Sequence, residues 1–141
     1  MPVLPSGLPE FVSDDEHVAR VLRSSNEYSN TGRCAKPNAL LPDEKGEKSV
    51  FRVSELGEPE IRAVVCAHVP GRMHGVATFK VSAVRREGLE VTSSEPPPRH
   101  ADIVRWPMGD SDPVRRRALH KSIAQRIIAG QVHCFLWPPS P

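Results

Sequence analysis

The sequence has few aromatic residues, few cysteines and no long apolar run. Aromatic residues make up only 5% of the 141 residues, so the core must rest mainly on Val, Leu, Ile and Ala. The three cysteines are widely spaced and odd in number, which argues against a disulfide framework and favours a reducing compartment. The longest apolar stretch, residues 63–67, is too short to cross a bilayer, and no signal-peptide pattern opens the chain. We therefore expect a soluble, cytoplasmic protein with no membrane partner.

The sequence also lacks the motifs that identify common enzyme classes. It contains no G-x-S-x-G elbow, no C-x-x-C pair, no P-loop and no G-x-G-x-x-G fingerprint. Cys66, His68, His133 and Cys134 are soft metal ligands, but they do not have the paired spacing of a structural zinc site. We expect no metal and no cofactor, and we expect the three cysteines to be buried thiols.

Proline, in contrast, is abundant. Fifteen of the residues are proline, about twice the usual share. Because each proline removes a backbone donor and fixes φ, the sequence predicts short elements joined by ordered loops. We expect a flexible N-terminal tail over residues 1–12, a single α+β domain over residues 13–137 and a flexible C-terminal tail over residues 138–141.

Alternation of apolar and polar residues predicts several strands. They fall at residues 49–53, 74–81, 89–92 and 132–137. In the first of them, Ser49 and Phe51 are expected on one face of the sheet, with Val50 and Arg52 on the other. Residues 39–41 are expected to be a short extended stretch.

The last helix carries the clearest local signals. Asp112 is a good N-cap and Pro113 a good first residue. Leu119, Ile123 and Ile127 then recur at four-residue spacing and predict a buried stripe.

Two further helices are predicted upstream. Pro59 suits the first turn of one of them. The other would begin near Asp14 and bury Val18, Val21 and Leu22 on one face. The elements do not alternate as they do in a doubly wound parallel sheet. The sequence therefore predicts a loop-rich α+β fold, in which two or three short helices pack on one side of a small, mostly antiparallel sheet.

Charge is distributed unevenly along the chain. The net charge is only +2, but residues 1–70 carry 8 basic and 11 acidic residues, whereas residues 71–141 carry 11 basic and 6 acidic residues. The net charges of the two halves are therefore −3 and +5. The imbalance fits two ends of one domain that attract each other, or a basic face in the second half.

Three consecutive arginines open the last predicted helix. Arg115, Arg116 and Arg117 lie where the helix dipole is positive, which costs about 0.3–1 kcal/mol for each cation. Together with free backbone N–H groups they would form an anion site. Asp110 and Asp112 precede the cluster and would neutralise much of its charge, which makes a solvated charged face the alternative.

A second set of candidate residues lies at the ends of predicted elements. It comprises Arg23, Ser49, Arg52, His74 and His100. If these side chains converge, they would hold a phosphate-bearing ligand and move a proton. The alternative is that the arginines lie at the surface and the histidines in loops for ordinary structural reasons.

Three functions remain open on the sequence alone. The leading hypothesis is a non-enzymatic accessory or interaction protein that binds an anionic partner, a phosphate-bearing ligand or a nucleic acid, through arginines. The alternative is a small enzyme that uses Arg, Ser and His on a nucleotide-like substrate. The third is a homo-oligomeric structural protein that pairs through its C-terminal strand. The sequence does not decide whether the protein is an enzyme.

Overall fold

The computed structural model describes residues 2–29 and 34–137 of the chain. The strands are β1 His17–Leu22, β2 Tyr28–Ser29, β3 Cys34–Ala35, β4 Lys48–Arg52, β5 Gly75–Lys80, β6 Glu90–Ser93, β7 His100–Val104 and β8 His133–Leu136. The helices are α1 Glu58–His68, α2 Val81–Arg85 and α3 Pro113–Ile128, with short 3-10 helices at Ser25–Glu27 and Pro37–Leu40.

Six strands form one sheet in the order β6-β7-β4-β1-β5-β8, and β2 pairs with β3 apart from it. Every pairing is antiparallel. The predicted α+β fold with a small antiparallel sheet and short helices is therefore confirmed. None of the helices in the described residues has the length and apolar character needed to cross a membrane. The predicted C-terminal tail, residues 138–141, lies outside the described residues.

The central strands are apolar on both faces, so the sheet has a core on each side. Val18 and Leu22 of β1 belong to the larger core, which also contains the buried apolar residues of α3. Ala19 and Val21 of the same strand belong to the second core, together with Ile61 of α1. The expectation that all helices lie on one side is wrong, because two apolar faces each need a helix to exclude water.

The same two-sided burial explains why the first predicted helix was misassigned. The predicted first helix is the central strand β1. Val18, Val21 and Leu22 have a spacing that fits one face of a helix, but in the strand they divide between the two cores. The predicted extended stretch at 39–41 is also wrong, because Ala39 and Leu40 lie in the 3-10 helix Pro37–Leu40.

The other elements largely follow the predictions. Pro59 lies in the first turn of α1, and the Asp112 side chain accepts hydrogen bonds from the backbone N–H groups of Val114 and Arg115 at the start of α3. Phe51 and Val50 lie in different cores, as the alternation along β4 predicts.

The buried stripe of α3 is rotated from its predicted position. Ile123 and Ile127 are buried as expected, but Leu119 is 45% exposed. Ala124 and Ile128 fill the core-facing side instead. The stripe therefore follows the i, i+1, i+4 and i+5 positions, and including Leu119 was wrong.

The segment that precedes β1 lies against the sheet. The Ser6 Oγ donates to the Glu95 carboxylate, the Ser93 Oγ donates to the Glu10 carbonyl at 2.7 Å, and Val12 is buried in the larger core. The expected flexibility of residues 1–12 concerns motion and stays a prediction; the contacts show residues 2–12 folded onto the domain.

Candidate functional site

The neighbouring strands β1 and β4 are paired along only part of their length. Their ladder consists of Val18↔Arg52 and Ala19↔Phe51, whereas β1 pairs with β5 at six positions. The next residue of β1, Arg20, bridges the place where the ladder has ended. Its Nη1 donates to the Ser49 carbonyl at 3.0 Å and its Nε to the Ala39 carbonyl at 3.1 Å. The guanidinium thus supplies one hydrogen bond between the two strands where their backbone ladder has ended, and it also ties β1 to the 3-10 helix Pro37–Leu40.

A cleft of about 310 Å³ opens beside this junction. It is lined by Arg20, Val21 and Arg23 from β1 and its exit, Ser49 and Phe51 from β4, His68, Val69 and Pro70 at the end of α1, and Pro97 and His100 before and at the start of β7. Three adjacent strands and one helix end therefore contribute to a single concave surface.

The cleft lies where helix α1 stops covering its face of the sheet. α1 packs on β1, β4 and β5 through the second core. On the same face of β7, His100 and Asp102 alternate with Ala101 and Ile103, which point into the larger core. The uncovered half of this face is therefore polar, and the cleft forms at the step between it and the helix end.

The positive charge of the cleft has no carboxylate bonded directly to it. Within the described residues, neither Arg20 nor Arg23 takes part in an ion pair. Arg23 Nη2 instead donates to the Pro70 carbonyl at 2.8 Å. Glu27 is the acidic group beside them, and its Oε1 accepts from the Arg23 backbone N–H at 2.6 Å. Both guanidiniums are therefore positioned mainly by carbonyl groups, which leave the cationic charge in place.

The titration behaviour reflects this concentration of charge. Burial, with a further contribution from Arg23, lowers the pKa of Arg20, while Glu27 acts in the opposite direction. Burial and the charge of Arg20 lower the pKa of Lys48 to about 8, against the opposing effects of Glu27 and Asp43. A third cation thus lies close enough to Arg20 to feel its charge, at a cost to the charged form of Lys48.

Both guanidiniums keep donors for a ligand. A guanidinium has five N–H groups in a planar fork. Arg20 uses Nε and one Nη1 hydrogen, and Arg23 uses one Nη2 hydrogen. The remaining N–H groups match the oxygens of a phosphate or carboxylate, which arginine binds in a bidentate manner.

The His100 ring is held on the opposite side of the cleft. Its Nδ1 is hydrogen-bonded to the Ser94 Oγ, and the ring meets Phe51 edge to face at a centroid distance of 5.5 Å. Because Nδ1 is occupied, Nε2 is the ring nitrogen left for a ligand. The ring orientation is therefore set before any ligand binds.

The structure brings together three of the five residues proposed from the sequence as a catalytic set. Arg23, Ser49 and His100 line the cleft, and Arg52 and His74 do not. Arg52 is 0% exposed and donates to both Glu16 carboxylate oxygens at 2.8 Å. His74 Nδ1 is hydrogen-bonded to the Tyr28 hydroxyl at 2.7 Å.

One of the three arginines at the start of α3, Arg115, has carboxylate partners among the described residues. Arg115 is paired with Asp110 at 3.0 Å and with Asp112 at 3.5 Å. Arg116 Nη1 donates to the Asp110 carbonyl at 2.9 Å. The hydrogen bond from Arg115, followed by that from the Asp112 N–H, lowers the pKa of Asp110. The charge of Arg115, one of the three cations proposed for an anion site, is therefore already compensated.

A second cavity, of about 360 Å³, lies beside these arginines. Arg116 and Arg117 line it, but so do Asp43 and Glu44. Two cations face two anions there, so the cavity has no net attraction for an anionic ligand comparable with that of the cleft.

Seven of the ten residues that line the cleft were not proposed as ligand-binding residues from the sequence: Arg20, Val21, Phe51, His68, Val69, Pro70 and Pro97. Arg20 has a recognisable signal, because it is the one charged residue among Val18–Leu22. The assignment of this segment to a helix concealed the signal by giving Arg20 a solvent-facing position. The others have no local signal, since a phenylalanine in a strand is normally a core residue.

Metal binding has no structural support among the described residues. No group of three or more His, Cys, Asp or Glu side chains is placed there to hold an ion. The expectation of buried thiols is wrong for Cys66, which is exposed because α1 buries Ile61 and Val65 instead. The prediction for Cys34 falls on a side chain that is not among those the structure describes.

No family model, curated protein or solved structure matched the chain when the comparisons were made. The chemistry of the cleft must therefore be inferred from its own side chains.

Proposed function

We propose that the protein is a non-enzymatic binding protein for a phosphate-bearing ligand, which it holds in the cleft between β1, β4 and β7. The carrying observation is that Arg20 and Arg23 both line one cavity and that neither forms an ion pair within the described residues. An anion would add a counter-charge to that of nearby Glu27, and the unused N–H groups would bind its oxygens.

This proposal keeps the class of partner inferred from the sequence but moves the site. The basic residues Arg115, Arg116 and Arg117 are replaced as the leading candidate by Arg20 and Arg23. The reason is electrostatic: Arg115 already has carboxylate partners, and Arg116 and Arg117 line a cavity together with Asp43 and Glu44, so an added anion gains less there.

The proposal is tested by calorimetric titration with pyrophosphate. The substitution Arg23→Gln removes the charge but keeps a side chain of similar reach. We expect it to weaken binding about tenfold or more, as is typical for the loss of a hydrogen bond to a charged group.

The matched control is the triple variant R115Q/R116Q/R117Q, which removes more charge from the surface of α3. We expect its pyrophosphate affinity to stay within about twofold of the original, because screening weakens charge effects over such distances. If the triple variant loses binding and R23Q does not, the cleft proposal is wrong and the helix start is the anion site.

The enzymatic alternative rests on a specific observation, since Arg23, Ser49 and His100 share the cleft. Incubation with nucleotides of several classes, followed by chromatography, tests it. Turnover that disappears in the variant His100→Ala would favour an enzyme over a binding protein.

The third hypothesis, association through the C-terminal strand, also stays a prediction. β8 is an edge strand, paired only with β5 among the described strands. An exposed edge is a common place for a second copy to pair. Light scattering across a range of protein concentrations would measure the mass directly.

A further inference from the structure

The cleft has two chemically different ends. The sheet order places β4 between β7 and β1. Arg20 and Arg23 lie on the β1 side, and Pro97 and His100 lie on the β7 side, with Phe51 of β4 between them. One end therefore offers cationic N–H donors, and the other offers flat or compact apolar surfaces.

The apolar end is built to receive a planar group. The His100 ring is fixed by Ser94 and by its edge-to-face contact with Phe51 at an interplanar angle of 86°. Pro70 and Val69 border the same cleft from the helix side. Aromatic rings and proline surfaces commonly pack against heterocyclic bases, and every base has a π-face.

The dimensions of the cleft fit a small ligand. β7 and β1 are separated by two strand spacings, about 10 Å. The volume of about 310 Å³ is at the lower end of the range for small-molecule sites. One planar ring and one phosphate group, joined by a sugar, match this span.

A hydroxyl-binding pair lies between the two ends. Ser49 lines the cleft, and its Oγ is 3.5 Å from Asp102 Oδ1. A carboxylate beside the middle of the cleft repels a second phosphate, but it accepts hydrogen bonds from sugar hydroxyls. The charge pattern therefore favours a ligand that is anionic at one end only.

We propose that the cleft binds a nucleoside monophosphate, with its phosphate on Arg20 and Arg23 and its base against His100 and Phe51. This inference rests on the proposed function, because it requires that the arginine end bind phosphate. It adds that the base, and not the phosphate alone, determines recognition.

The test compares AMP, UMP, ribose 5-phosphate and adenosine by calorimetric titration. We expect AMP to bind about tenfold more tightly than ribose 5-phosphate, which is the effect typical of stacking one base. Adenosine is expected to bind more weakly than AMP, because it lacks the phosphate. In NMR spectra of the AMP mixture, the base protons are expected to shift upfield as they meet the rings.

The variant His100→Ala removes one ring from the wall. We expect its affinity for AMP to fall about tenfold while its affinity for ribose 5-phosphate stays within about twofold. His133→Ala is the matched control, since His133 stacks on Phe135 at the far edge of the sheet. It should leave both affinities unchanged. If His100→Ala unfolds the protein, Phe51→Leu serves the same purpose.

The outcomes separate the two proposals. If ribose 5-phosphate and AMP bind equally, the base makes no contribution and the nucleotide inference is wrong, while phosphate binding stands. If no phosphate compound binds, the proposed function itself fails. If a single-stranded oligonucleotide binds more than tenfold tighter than both AMP and UMP, the ligand is a polymer and the inference is overturned.

Discussion

Two arginines lie at opposite ends of the contact between β1 and β4, and they differ in the groups that bind their guanidiniums. Arg52 lies where the strands are paired, fully buried, with a bidentate bond to Glu16. Arg20 lies where the strands have separated, and its bonds go to backbone carbonyls. Residue type alone would not distinguish them, since both are arginines in apolar strands.

The difference shows what makes a buried arginine structural or available. The donors of Arg52 also reach the Pro9 carbonyl at 2.6 Å and the Ser93 Oγ at 3.1 Å. Its charge and its hydrogen-bonding capacity are used within the fold. Arg20 is held in position by carbonyl groups, and no carboxylate of the described residues is bonded to it. Its charge therefore stays available to a ligand.

The largest effect on stability is expected at Arg52, where β1 and β4 are paired. The substitution Arg52→Met would leave the Glu16 carboxylate enclosed without its cation. Breaking a buried pair from one side costs about 3–5 kcal/mol, which denaturant unfolding would measure as a lower free energy of unfolding.

The double variant R52M/E16Q is the control for that experiment. It removes the orphaned charge and should recover most of the loss. Burial opposes ionisation of Glu16, but the bond from Arg52 and the Ser13 N–H hold its pKa below 4.5. This contribution is therefore present above pH 4.5 and lost as the pH falls through the folded-state pKa. An R52M protein as stable as the original would show that the pair does not hold the fold together.

A smaller effect on stability, but a clear effect on binding, is expected at Arg20, where β1 and β4 have separated. In the variant Arg20→Met, two lost hydrogen bonds are offset by removal of a partly desolvated charge. We expect the free energy of unfolding to change by less than about 1 kcal/mol. Pyrophosphate affinity should fall about tenfold by calorimetry. A loss of stability as large as that of R52M would make Arg20 structural and remove the distinction between the two ends.

The smallest effect on stability is expected at Lys48, at the start of β4. Its pKa of about 8 is below the ordinary value of 10.5, so between these values the unfolded chain binds more protons than the folded one. Stability should therefore rise from pH 8 to pH 10.5, by on the order of 1 kcal/mol after solvent screening.

The variant Lys48→Met should remove that rise and increase stability at pH 7 by a similar amount. Urea unfolding at pH 7, 8, 9 and 10 measures both. Lys80→Met, a change at an exposed lysine, is the matched control and should preserve the rise. An unchanged slope in K48M would place the titrating group elsewhere.

Local patterns predicted much of the fold. Alternation identified β4, β5, β6 and β8, and capping residues located the start of α3, because these signals depend on neighbours in sequence. The central strand β1 was missed because it is buried on both faces and so shows no alternation.

The cleft was only partly predictable for a different reason. Arg23, Ser49 and His100 were selected by residue type at element ends. Their meeting depends on the strand order β7-β4-β1, which joins parts of the chain far apart in sequence. No local pattern encodes that order. The same lack of long-range information led to Arg52 and His74 being grouped with them.

The carbonyl contacts of Arg52 also bear on how the chain can be shortened for structural work. Two of its donors reach residues ahead of the first strand, Pro9 and Phe11. A version that starts at Val12 would therefore remove acceptors from a cation inside the domain, although it would leave every helix and sheet strand intact. Trimming that looks harmless by secondary structure would fail there, and a shortened chain must keep Pro9 and Phe11.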